Sequence, residues 1–79
     1  MDRGAEDQPV SVVYTQNSRD QMASRNISEA EVESVIDDHH THYHDRDGND
    51  IYVGHPAGRR IKVVVAKNSD PPRVITAAD

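Results

Sequence analysis

The stretch "ISEAEVESVIDDHHTHYHDRDGNDIYVGHPAGRRIKVVVA", residues 27–66, decides the fold, because its apolar period changes once along its length. In the first part Val32, Val35 and Ile36 share one helical face, and Ser28 followed by Glu31 has the spacing of a capping box. Glu29, Glu31 and Glu33 occupy the first turns, where the helix dipole favours negative charge. The pattern predicts a helix over roughly 29–38. Past it the period falls to two. "HTHYH" (40–44) reads as a strand, "DRDGND" (45–50) carries Asp-Gly turn chemistry, and "IYVGH" (51–55) returns as the second arm of a hairpin. "PAGR" turns again into "RIKVVVA" (60–66), the most apolar run and so the expected central strand.

Working outward, "TQNSRDQMASRN" predicts a short helix with its N-cap at Thr15 or Asn17, ending near Arg25, with Asn26 closing it in the left-handed region. Before it, "VSVVYT" (10–15) is β-branched and short, a strand or extended arm. On the other side "KNSDPP" breaks the central strand and "RVITA" (73–77) supplies the last one. Connections this short make neighbouring strands antiparallel. The expected fold is α+β: two N-terminal helices packed on a four-stranded antiparallel meander, with an optional extra N-terminal strand. Residues 1–8 are polar and lack apolar surface to repay ordering, so they are expected to be a flexible tail before one domain spanning 9–79.

With 79 residues, 34% apolar content, no Trp and no Phe, the chain has little material for a core, and a homodimer or a partner is a plausible supplement. No Cys is present, which excludes disulfides and thiolate metal sites. No apolar run approaches the ~20 residues of a membrane span, and the acidic start "MDRGAEDQPV" is unlike a signal peptide. A cytoplasmic protein without membrane contact is the expectation. The formal charge is −5, but residues 1–50 carry 4 basic and 12 acidic side chains while 51–79 carry 5 and 2. Any anion should therefore meet the C-terminal half.

Three readings compete for the histidines. On a strand His40, His42 and His44 project from one face and Thr41 and Tyr43 from the other. Two imidazoles at that spacing can chelate zinc, with Asp45 or His55 across the hairpin completing the set, yet spacing alone assigns neither a metal nor a cofactor. Alternatively, His40, His42 and His44 are catalytic: RNA cleavage by 2′-hydroxyl attack needs a base and an acid, and imidazole titrates near neutrality. Lys62 or Arg60 would then stabilise the phosphorane. The third reading is a solvated polar face on an outward-facing hairpin, with His39 partly tucked under the second helix. In the central strand Arg60, Lys62 and Val64 alternate with Ile61, Val63 and Val65, so the second set is expected against the helices and the first on the open face.

Several segments together resemble a known family: "TQNSRDQMASRNISEAEVESVIDD", "DRDGNDIYVG", "GRRIKVVVA" and "PPRVITA". They are similar to a group of short bacterial domains of unknown function that begin T-x-H-A-x-x-R-M-x-x-R-G-I-S. That group is generally placed near the RelE/BrnT-type ribonuclease toxins of the barnase/EndoU/colicin/RelE fold. Met22, Arg25, Ile27, Ser28, Val32, Gly48, Gly58, Val64 and Thr76 fit the pattern. Asn17 stands where the family usually has His, Gln21 where it has Arg and Asn26 where it has Gly. Asn exchanges no proton at neutral pH and Gln offers phosphate no guanidinium. The resemblance implies a toxin-like RNase-fold domain that binds RNA or an antitoxin-like protein, its nuclease activity weak or lost. Arg25, Arg60, Lys62 and Arg73 are the candidate RNA- or anion-binding residues. The alternative is a non-enzymatic interaction module, dimeric or metal-binding through its histidines.

Overall fold

The computed structural model describes residues 12–79, so the expected tail at 1–8 and the domain start near Pro9 lie outside the described residues. The elements run β1 (Val13–Tyr14), α1 (Gln16–Arg25), α2 (Glu29–Asp37), β2 (Thr41–His44), β3 (Asp50–Gly54), β4 (Ile61–Val65) and β5 (Arg73–Ala78). They form a five-stranded sheet in the order β1-β5-β4-β3-β2, with β4 at its centre as the apolar run "IKVVV" requires.

The four-stranded antiparallel expectation needs correction at one edge. β2 through β5 are an antiparallel meander, but β1 adds a fifth strand parallel to β5, with Val13 opposite Arg73 and Tyr14 opposite Val74. Short connections force antiparallel pairing only between consecutive strands. Here the first and last strands meet, and the whole intervening chain serves as the crossover that a parallel pair needs.

Local chemistry sets the helix ends. The Ser18 N–H donates to the Thr15 hydroxyl to open α1, and the Ser28–Glu31 capping box opens α2 with both reciprocal bonds made. Asn26 closes α1 at φ 57°, its N–H directed at the carbonyls of Met22 and Ala23. Only Gly adopts this region without penalty, and Asn is the next best choice. Asn26→Ala should therefore destabilise by about 1–2 kcal/mol in urea unfolding, whereas Asn26→Gly should cost nothing; equal losses would show that the left-handed cap carries no weight.

Both helices lie on one side of the sheet. Met22, Ile27, Val32 and Val35 pack on Ile61, Val63, Val65, Val74 and Ala77, as the alternation in β4 predicts. A smaller cluster of Ile51, Val53 and Val64, joined by Ile75, occupies the opposite face. A bulge between Val64 and Val65 leaves Ile75 without a partner across the β4–β5 pair, since Val64 faces Thr76 and Val65 faces Val74.

Candidate functional site

The register of β2 against β3 sets the histidine site. His42 lies opposite Tyr52 and His44 opposite Asp50, and the next strand places Val63 and Val65 beside that pair. Because Val63 and Val65 contact the helices, the histidines stand on the helix side of the sheet and not on an outward face. They remain exposed because β2 is an edge strand, all four of whose residues are open to solvent.

His42 Nε2 is 2.8 Å and His44 Nε2 3.1 Å from the same atom, Asp50 Oδ1. The Tyr52 ring stacks on His42 at 4.6 Å and 12° between planes, and the His39 ring meets Tyr52 edge-on at 4.8 Å. His39 also places Nδ1 3.1 Å from the Ile36 carbonyl at the end of α2, the half-tucked position expected of it. Burial, then the Asp50 carboxylate, push the Tyr52 phenol up. His40 is not part of the Asp50 cluster. Its Nδ1 lies 3.2 Å from Nδ1 of His55, so the three histidines divide between two groups.

The metal set suggested by spacing is also different from the one the fold assembles. Among the described residues, His42, His44 and Asp50 bring ligand atoms within 4.8 Å of one another, and neither Asp45 nor His55 joins them. Asp45 is occupied within its own turn. One carboxylate oxygen accepts the backbone N–H groups of Asp47 and Asn49, and the other accepts the Asn49 side-chain amide. These bonds, the Asn49 N–H foremost, hold the Asp45 carboxyl below its usual range. Asn49 in turn accepts the Lys67 N–H, tying this turn to the β4–β5 connection.

Lys62 and Arg73 do not gather around His42 and His44. Lys62 lies opposite Val53, which lies opposite Thr41, so it occupies the sheet face away from His42 and His44. Arg73 precedes the helix-facing Val74 and by alternation also points to that far face. Arg60 is exposed just before β4, and Arg25 pairs with Asp79 at 3.4 Å. Arg59, absent from the expected anion-binding residues, is the most engaged cation among the described residues. Its guanidinium donates to the carbonyls of Arg25 and Asn26 and sits 3.4 Å from Glu31 and 3.6 Å from Asp79, closing the C-terminal end of α1. The Ser28 backbone N–H, followed by Arg59, keeps the Glu31 carboxyl below its usual range.

Asn17 and Gln21 have structural partners. Asn17 donates its side-chain amide to the Ile75 carbonyl at 3.1 Å, and Gln21 Oε1 accepts the Ala77 N–H at 3.1 Å. Where β1 ends at Tyr14 and the chain turns into α1, these two side chains take over hydrogen bonding along the β5 edge, Asn17 at the bulged residue itself.

The chain belongs to a family defined as a domain of unknown function, DUF4258, which matches residues 14–79. No curated protein and no solved structure matched the chain. No helix among the described residues is long and apolar enough to cross a membrane.

Proposed function

We propose that the chain is a toxin-like small domain of the RelE/BrnT ribonuclease type that acts by binding a partner, with nuclease activity weak or lost. The motif resemblance supports the class, as does the order of two helices followed by an antiparallel meander. One observation carries the loss of cleavage. The polar positions where the family has His and Arg are filled by Asn17 and Gln21, and both are spent on the β5 backbone. Meanwhile Lys62 and Arg73 lie across the sheet from His42 and His44, so these two expected phosphate-binding cations do not converge on the histidine pair. The acidic balance of −5 favours an antitoxin-like protein over RNA as partner, since phosphate-backbone binding rests on Lys and Arg displacing counterions.

The test is incubation of the purified chain with labelled RNA, with and without divalent metal, read for cleavage and for binding at two salt concentrations. Neither cleavage nor salt-sensitive binding is expected. Cleavage that disappears in His40→Ala, His42→Ala or His44→Ala variants would restore the catalytic assignment of those residues, and tight binding that weakens steeply with salt would make RNA the partner.

A further inference from the structure

We propose that His42, His44 and Asp50 form a binding site for one divalent transition-metal ion of the zinc class, with the fourth position left to water. The two imidazoles reach one face through the two-residue repeat of β2, and the β2–β3 register delivers Asp50 opposite His44. Both Nε2 atoms already point at a single carboxylate oxygen, at 2.8 and 3.1 Å. A tetrahedral zinc ion with bonds of about 2.0–2.2 Å holds neighbouring ligand atoms roughly 3.3 Å apart. Each of the three residues offers one donor atom within 4.8 Å of the others, so shortening their separations by up to about 1.5 Å brings them to that geometry. An ion held between them would take the place of the Nε2–Asp50 Oδ1 hydrogen bonds, each ligating imidazole then carrying its proton on Nδ1.

The surroundings favour the same occupant. Tyr52 stacked on His42 at 4.6 Å, with His39 edge-on to His42 at 5.7 Å, fixes one imidazole plane before any ion arrives. Two nitrogens and one carboxylate suit zinc and its first-row neighbours and are a poor match for magnesium or calcium, which take oxygen ligands. The site faces solvent, with His42 at 36% and His44 at 61% exposure, which leaves an open coordination position and limits the affinity.

Zinc titration of the full chain, followed by competition with a chromophoric chelator and by the ¹⁵N shifts of the histidine Nε2 atoms, tests this directly. One equivalent should bind with a Kd on the order of micromolar, shifting His42 and His44 together. His42→Gln, His44→Gln and Asp50→Asn should each weaken binding by at least about tenfold, and His55→Gln by less than about threefold. Circular dichroism of each variant separates lost ligands from lost fold, and the wild-type shifts stand independently of any variant. Millimolar or multi-site binding, shifts centred on His40 and His55, or undiminished affinity in His42→Gln or His44→Gln would overturn the assignment.

Discussion

Replacing Ile61 by Ala should cost about 2–5 kcal/mol, because a fully enclosed branched side chain is removed and the cavity cannot fill from solvent. Ile61 has no exposed surface, begins the central strand, and packs in the cluster that joins both helices to the sheet. A chain of this size has on the order of 4–12 kcal/mol of total stability. The variant should therefore lose a large fraction of its stability, with the urea midpoint lowered in the same proportion. Arg60→Ala, one residue earlier at an exposed position, should change stability by less than about 0.5 kcal/mol. A loss under about 1 kcal/mol for Ile61→Ala would mean that the helices are not held to the sheet through this strand.

That Ile61 faces the helices was legible because successive residues of a strand point to opposite faces whatever the tertiary details, although Val64 on the far face is buried as well. The same holds for the capping box at Ser28 and Glu31, the left-handed Asn26 and the turn at 45–50, all of which are settled by contacts within a few residues. What the sequence concealed depends on pairing between distant segments. β1 falls within the stretch 10–15 read as a strand or extended arm, but nothing local shows that its mate is β5, parallel and about sixty residues away. The choice of Asp50 over Asp45 beside the histidines rests on the β2–β3 register and on Asn49 capturing Asp45, neither of which spacing reveals. Arg59 differs from Arg60 in sequence only by one position, yet it alone reaches the end of α1. The family positions Asn17 and Gln21 read as vacated chemistry until their partners, 58 and 56 residues on, are seen.

That last pair gives the second large effect. Gln21→Arg should destabilise the domain by roughly 1–3 kcal/mol, because Arg has no acceptor to replace Gln21 Oε1 and the Ala77 N–H is left unpaired. Ala77 is fully buried, so water cannot easily substitute. Asn17→His should be far milder: an imidazole N–H can still donate to the Ile75 carbonyl, at an exposed position where solvent is an alternative. Combining both changes restores the residue types usual in the family and separates two meanings of those positions. If they serve only to bind the β5 edge, the double variant loses about the stability that Gln21→Arg loses alone and gains no activity on RNA. If the new imidazole and guanidinium, four residues apart on one helix face, reach a common phosphate, the double variant should bind RNA better and cleave it by up to ~10²–10⁴-fold over the wild type. Urea unfolding and a labelled-RNA assay on the same three proteins decide between them. The hydrogen bonds to Ile75 and Ala77 favour the first outcome, since a side chain committed to closing a bulged strand edge is not free to hold substrate.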